Sequence, residues 1–321
     1  MRAAALVLVL AVPALAGEGY VRSTVKNHPE LPLYLRDRCA PFHIGAAGSA
    51  RTPERTEDAA IEAAFASWQK EADACGNGFT FLRGDDVPVV ESRLGLEPNG
   101  RARTQILFRD VNCRDVVPAG DECAADEETA HAKCGNKYQC LYATDSTIGI
   151  TLVSYRVSTG AISDTDIELN AAARLLPDGT VGEPRLFTTV DGPVCPMEAL
   201  ATPACVAFDV QNTMTHEIGH ALGFDHVEDP ASTMFASADF GETSKRRIDR
   251  GSAKGFCDVY PRVEQPVPCD VELSSAQALK QRVDVVGETG CAVAPGVPWA
   301  LVALLALRRR RRSDGSPSRT P

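Results

Sequence analysis

The stretch DVQNTMTHEIGHALGFDH, residues 209–226, decides the fold of this 321-residue chain. Apolar side chains recur in it every four residues, which predicts a helix with one buried face, and Asp209 can cap the first turn. These apolar positions are Val210, Met214, Ile218 and Leu222. His216 and His220 are also four residues apart, so both project from one face of the helix, about one turn from each other. The stretch therefore predicts a helix that directs two imidazoles at one ion.

A third histidine completes a metal site of catalytic type. Gly223 can take the left-handed conformation that ends the helix and turns the chain back, so that His226 supplies a third nitrogen. Three neutral imidazoles leave the fourth position of a zinc ion open to water, and Glu217 is placed to take a proton from that water. Ordinary surface histidines are the alternative, but a chance match to the five required positions has a probability on the order of 10⁻⁴.

These residues resemble the metzincin zinc endopeptidases, and HEIGHALG, residues 216–223, is most similar to the matrixin branch. The resemblance covers residues 32–262 and includes Trp68, the segment 160–170 and DVYP at 258–261. It implies an α+β fold of metzincin type: a two-lobed zincin with a twisted mixed β-sheet, helices, an active-site helix and a small C-terminal lobe. It also implies one catalytic zinc ion, endopeptidase activity on proteins or peptides, and a methionine turn below the zinc, for which Met234 is the candidate.

Metzincins bind the peptide substrate antiparallel to an edge strand, which extends the sheet. The matching segment here is 160–170, and its candidate substrate-binding residues are Ile162, Asp164, Asp166, Glu168 and Asn170. The sequence departs from animal matrixins at Val227 and directly after Met234, so the wall of the specificity pocket cannot be transferred and substrate preference stays open. His28, His43 and His131 do not match the second, structural zinc site of animal matrixins, and we expect that site to be absent.

The remaining pattern predicts an α+β architecture for the domain, whose bounds at residues 32–262 are those that the resemblance implies. A loose segment, 17–31, precedes a first strand over Leu33–Ile44 and a helix from Thr56 to about Ala72. Further strands are predicted at 79–82, 104–108, 149–155 and 162–169, with a Cys-rich inserted loop at 113–140. Since only a short segment separates the N-terminal signal from the first strand, we expect no full inhibitory prodomain.

The N terminus has the residue order of a secretory signal. Arg2 is followed by an apolar run and by the small residues of Ala14-Leu15-Ala16. We expect residues 1–16 to be a signal peptide that directs export through a Sec-type pathway and is removed after Ala16.

The C-terminal residues 291–321 predict a sorting tail. Cys291 precedes an uncharged run, 292–307, which ends in the arginine cluster 308–312. Such a run spans about 24 Å as a helix, short of the ~30 Å hydrocarbon core, which favours transient membrane insertion. The pattern resembles the tripartite sorting tail of myxobacterial surface proteins, apart from the nine residues after the arginines. The resemblance implies processing and lipidation at Cys291, and a protein that is anchored at the outer-membrane surface or released from it. Residues 263–290, which precede the tail, are predicted to be a stalk.

The eleven cysteines also fit an exported chain. If Cys291 belongs to the sorting tail, the other ten can form five disulfides, but their pairing cannot be derived from sequence alone. Proximity along the chain favours 39–75, 195–205, 257–269 and two bridges among 113, 123, 134 and 140. Zinc binding by those last four cysteines is an alternative that their spacing does not favour.

The net charge of the chain limits the kinds of partner that it is expected to bind. The net charge of −10 disfavours nucleic acid, and the excess of carboxylates reads either as a solvated acidic surface or as calcium sites at positions that the sequence does not identify. We therefore predict a secreted, surface-anchored, monomeric zinc endopeptidase in which Glu217 assists the attack of a zinc-bound water on a peptide bond. The alternatives are a non-catalytic, zinc-stabilised surface adhesin and a zinc hydrolase that acts on a non-peptide amide.

Overall fold

A computed structural model describes residues 19–96, 102–125, 127–144, 146–175, 181–196, 204–264, 269 and 285–293. The helices are α1 (Thr56–Cys75), α2 (Cys113–Val116), α3 (Glu127–Tyr138), α4 (Val210–Ala221) and α5 (Arg250–Val259). The strands are β1 (Val21–Arg22), β2 (Thr24–Val25), β3 (His28–Pro32), β4 (Tyr34–Leu35), β5 (Cys39–Ile44), β6 (Thr80–Arg83), β7 (Gln105–Arg109), β8 (Thr147–Tyr155), β9 (Ala161–Asn170), β10 (Ala173–Leu175), β11 (Val181–Pro184), β12 (Phe187–Thr188), β13 (Phe208–Asp209), β14 (Phe224–Asp225), β15 (Ser237–Ala238) and β16 (Val285–Val293). The predicted α+β class is confirmed.

One mixed sheet supports the molecule, with the strand order β15-β16-β8-β9-β7-β5-β6 and β4 paired to β9. Strands β6, β5, β7 and β9 run parallel, and β8 is antiparallel to β9. The prediction that residues 162–170 form an edge strand is wrong, because β9 lies between β7 and β8. The antiparallel strand β8 lies on the outer side of this parallel group, and β16 pairs with the outer edge of β8.

The acidic side chains of β9 show that this strand lies inside the sheet. Asp164, Asp166 and Glu168 occupy every second position, as acidic residues do on a half-exposed strand, yet all three are buried. Asp166 accepts hydrogen bonds from the backbone amides of Gly95 and Gln105, and Glu168 pairs with Arg109 and His131. Partners that lie far away in the sequence therefore bind the buried carboxylates of Asp166 and Glu168.

Helix α1 packs its apolar stripe on the sheet and on α4. Trp68 is fully buried, its ring stacks on Phe224, and its indole N–H donates to the carbonyl oxygen of Thr215 in α4 at 2.9 Å. The predicted helix is confirmed, and Gly76 ends it in the left-handed conformation at φ +63°. This contact fixes α4 against the core.

Five disulfides are present: Cys39–Cys269, Cys75–Cys257, Cys113–Cys140, Cys123–Cys134 and Cys195–Cys205. The last three agree with the predicted pairing, and the zinc alternative for the four cysteines in 113–140 is thereby excluded. The pairings 39–75 and 257–269 are wrong, because the end of α1 lies beside α5 rather than beside β5. Cys291 keeps its thiol and is buried.

Three segments differ in part from their predicted structure. Residues 19–31 are not loose, since β1 pairs with β14 and β2 pairs with β3. The insertion 113–140 contains α2 and α3 rather than only loop. The stalk predicted over 263–290 includes residues 285–290, which lie in β16 instead.

The predicted signal peptide, residues 1–16, and the part of the predicted sorting tail beyond residue 293 lie outside the described residues. Among the residues that are described, none of the helices combines the length and apolar character needed to cross a bilayer.

Candidate metal centre

Helix α4 begins as its sequence predicts. The side chain of Asp209 accepts a hydrogen bond from the Asn212 amide at 2.7 Å and so caps the helix. Arg246 holds the same carboxylate with Nε at 2.8 Å and Nη2 at 2.5 Å. The apolar stripe of Val210, Met214, Ile218 and Leu222 lies in the main core, so His216 and His220 are carried on a fixed backbone.

The turn after α4 needs glycine. Gly223 has φ +85°, and a Cβ there would approach the backbone of Leu33, whose carbonyl carbon would lie 3.0 Å away. The chain then enters β14, where the Phe224 carbonyl oxygen accepts a hydrogen bond from His220 Nδ1 at 2.8 Å. The same turn brings His226 to the other two histidines.

The three Nε2 atoms of the triad converge. They lie 3.1 Å apart for His216–His220, 3.1 Å for His220–His226 and 3.3 Å for His216–His226. His216 Nδ1 donates to the Thr233 carbonyl oxygen at 2.7 Å, so the two helical imidazoles carry their protons on Nδ1 and turn lone pairs towards each other. Burial lowers the pKa of His216 well below its usual range and that of His220 to about 3, which keeps both rings neutral.

This donor set fits zinc. Tetrahedral zinc with Zn–N bonds of 2.0–2.1 Å would separate its nitrogen ligands by about 3.3–3.4 Å, close to the spacing of the three Nε2 atoms. Converging lone pairs in a buried site repel one another unless a cation lies between them. Among the described residues, His216, His220 and His226 are also the one group of three or more His, Cys, Asp or Glu side chains able to hold an ion.

Met234, the candidate residue of the methionine turn, packs against Gly219 of α4. It is buried, and a Cβ on Gly219 would overlap its Sδ, so glycine at this helical position makes room for the methionine. Val227 N donates to the Met234 carbonyl oxygen at 3.0 Å, which joins the turn to the segment after His226.

Asp249 fixes this turn, and the sequence analysis did not identify it. Its Oδ2 accepts hydrogen bonds from the Thr233 amide at 2.8 Å and the Ser232 hydroxyl at 3.1 Å. Its Oδ1 caps α5 through the amides of Gly251 and Ser252. Asp249 therefore orients the carbonyl that holds His216. An aspartate directly before a helix is a capping signal that could have pointed to it.

Glu217 is buried between α4 and β8. Its Oε2 accepts from the Thr151 hydroxyl at 2.8 Å, and its Oε1 lies 3.1 Å from the backbone nitrogen of Cys291 in β16. A Cβ on Gly149 would lie 2.7 Å from Oε1, so the backbone of β8 runs directly over this carboxylate. Burial raises the pKa of Glu217 to about 8.

The other predicted residues lie elsewhere. Ile162 belongs to a small apolar cluster with Leu33 and Tyr155, and Asn170 donates to the Thr147 carbonyl oxygen at the start of β8. Asp164, Asp166 and Glu168 make the buried contacts of β9 described above. His28 faces Glu30 at the surface, His43 contacts the Asp85 carbonyl, and His131 pairs with Glu168.

The fold and the site together define a metallopeptidase built around a histidine triad and one glutamate. A family model described as matrixin matches residues 99–261, and the chain belongs to the matrixin family. The protein is therefore a zinc metallopeptidase, and its three histidines are suited to bind the zinc ion. No curated protein matches the chain.

Proposed function

We propose that the protein is a secreted, surface-anchored endopeptidase in which Glu217 acts first as general base and then as general acid. The observation that carries the proposal is the position of Glu217. Glu217 directly follows His216 in α4, and its carboxylate lies 3.1 Å from the backbone nitrogen of Cys291, in a peptide segment that is paired with β8. A peptide hydrolase needs its proton-transferring group at such an amide.

Each residue has a defined task in this reaction. When bound to the triad, zinc supplies Lewis-acid polarisation of the attacking water and of the substrate carbonyl. The backbone of β8 aligns the substrate as an added strand. Glu217 takes a proton from the water and then delivers it to the nitrogen of the departing amine. The Thr151 hydroxyl holds Glu217 Oε2 in place, and burial raises the pKa of Glu217 to about 8, which favours return of the proton to the departing amine.

Export and anchoring rest on the sequence. The signal peptide 1–16 and the tail 291–321 support a route through the envelope and attachment at Cys291. The five disulfides are typical of an oxidising compartment.

The experiment is hydrolysis of a mixture of unfolded proteins by the zinc-loaded full chain. Glu217→Gln keeps the side-chain shape and removes the base, and Glu62→Gln, on the exposed part of α1, is the matched control. We expect cleavage to be lost with Glu217→Gln and with a chelator, and kept with Glu62→Gln. A parallel assay uses the double variant Glu288→Pro/Thr289→Pro, which disrupts β16.

Cleavage that survives Glu217→Gln would refute the role of this carboxylate. Absence of cleavage by both the full chain and the strand variant Glu288→Pro/Thr289→Pro, each folded and loaded with zinc, would refute the endopeptidase. An adhesin would then bind its surface equally well with Glu217→Gln, and a hydrolase of other amides would act on acylated sugars instead.

A further inference from the structure

Strand β16 lies where a substrate has to bind. It pairs antiparallel with β8 along almost its whole length, from Val285 opposite Tyr155 to Cys291 opposite Gly149. The outer edge of β8 is the sheet edge that passes over Glu217. Because the backbone groups of that edge pair with β16, they are not available to a second peptide.

The register places one peptide bond at the catalytic carboxylate. The backbone nitrogen of Cys291 lies 3.1 Å from Glu217 Oε1, so the Gly290–Cys291 bond takes the position of a bond awaiting hydrolysis. The Cys291 side chain is 1% exposed and belongs to the main core cluster. The segment thus fills the site as well as the sheet edge.

A second backbone segment holds β16 from the opposite side. Ala292 and Val293 pair in parallel with Ser237 and Ala238 of β15, which follows the methionine turn. The strand therefore lies in a cleft with β8 on one side and β15 on the other. Any peptide that reached Glu217 through this cleft would have to displace it.

The chain is long enough to place this strand in its own cleft. Cys269 is bound to Cys39 of β5, and sixteen residues lead from Cys269 to Val285. Sixteen residues can span about 53 Å, whereas β5 lies four strand spacings from β16, or about 19 Å. A tethered segment also has an effective concentration in the millimolar range, which favours binding within one molecule.

We propose that residues 285–293 are a cis-acting pseudosubstrate strand, which occupies the peptide cleft and keeps the enzyme latent until it leaves β8. This regulatory role rests on the proposed endopeptidase function. Occupation of the cleft is a separate property, and it can be measured in metal-free protein without any activity.

The test uses the thiol of Cys291 in the full chain without metal. The double variant Glu288→Pro/Thr289→Pro removes two adjacent strand N–H groups, and since these alternate in direction, one of them faces β8 in any register. Ala276→Pro/Gln277→Pro, outside the strand, is the matched control. We expect a maleimide to label Cys291 at least about tenfold more slowly in the wild type and the control than in the strand variant.

A second measurement needs no variant. Amide hydrogen exchange over Thr147–Tyr155 in the wild type reports whether both sides of β8 are paired. With β16 docked, consecutive amides are protected, whereas an open edge would leave every second amide to exchange rapidly. Equal thiol labelling in all three proteins, or rapid exchange of alternate β8 amides, would overturn the proposal.

An activity assay distinguishes the pseudosubstrate proposal from the endopeptidase proposal. If both proposals are correct, the zinc-loaded strand variant cleaves protein substrates at least about tenfold faster than the wild type and the control. Slow thiol labelling with no cleavage by any form would leave the docked strand in place and refute the endopeptidase. Rapid labelling together with full wild-type activity would refute the pseudosubstrate alone.

Discussion

Substitution of Gly219 by alanine should test how the methionine turn supports the metal site. The new Cβ would overlap Met234 Sδ, lie 3.0 Å from Met234 Cε and lie 3.4 Å from Trp68 Cζ2. Met234 is buried and Trp68 fully so, which leaves the methionine little space into which to move. The substitution therefore pushes on the turn from within the active-site helix.

Two opposing free-energy contributions determine the expected change in stability of Gly219→Ala. Alanine in place of glycine stabilises a helix interior by about 1 kcal/mol, whereas overpacking a core costs about 1–3 kcal/mol. We expect the free energy of unfolding of metal-free protein to fall by about 0–2 kcal/mol. We expect the substitution to lower zinc affinity more strongly than it lowers stability. Thr233, next to Met234, orients His216, and loss of such orientation costs about 10–100-fold in metal affinity.

The assay combines urea unfolding with competition for zinc against a chromophoric chelator. Met234→Ala serves as the partner in a double-mutant cycle, because it removes both Sδ and Cε. We expect the double variant to be less destabilised than the sum of the two single variants. A rise in stability of about 1 kcal/mol with unchanged zinc affinity would refute the reasoning, since it would mean that Met234 yields freely to the new methyl group.

Three further predictions concern the groups around the site. Burial raises the pKa of Asp249, but hydrogen bonds from two serines and the Thr233 amide outweigh it and lower the pKa below its usual value. The carboxylate therefore stabilises the fold above about pH 4 and loses this effect as the pH falls through its lowered pKa, so acid titration should show a flatter stability curve for Asp249→Asn. Thr151→Val removes a hydrogen bond that favours ionised Glu217, and the acidic limb of kcat/KM should move up by about one pH unit, whereas Thr151→Ser should leave it in place. Zinc at a thousandfold excess over its Kd should stabilise the protein by about 4 kcal/mol, which a chelator abolishes and His220→Ala prevents, as Tm measurements would reveal.

The active-site helix could be predicted from sequence because its determinants are local. The spacing of His216 and His220, the cap at Asp209 and the left-handed glycine at Gly223 all act within one or two turns. Each was confirmed, since no distant residue was needed to define it.

The errors lie where distant partners decide the outcome. Alternating acidic residues in β9 can mean either solvent or a buried row with partners, and only the positions of Arg109 and the Gln105 amide distinguish the two. Cys75 is nearer to Cys39 in sequence but nearer to Cys257 in space. The sequence predicts a stalk for residues 285–290 and a sorting tail from Cys291, because the segment Val285–Val293 becomes a strand only through pairing with β8.

The docked strand finally bears on the proposed anchoring. Cys291 is the residue proposed for processing and lipidation, and its side chain is buried beside Glu217 in the cleft. A modifying enzyme needs access to this thiol, so β16 has to leave β8 before attachment can occur. A lipid on Sγ would then prevent re-entry, because the same volume is closed by α4 and by β15. Attachment to the surface and opening of the cleft would thus be coupled, and a molecule with an unprocessed tail would stay closed during export.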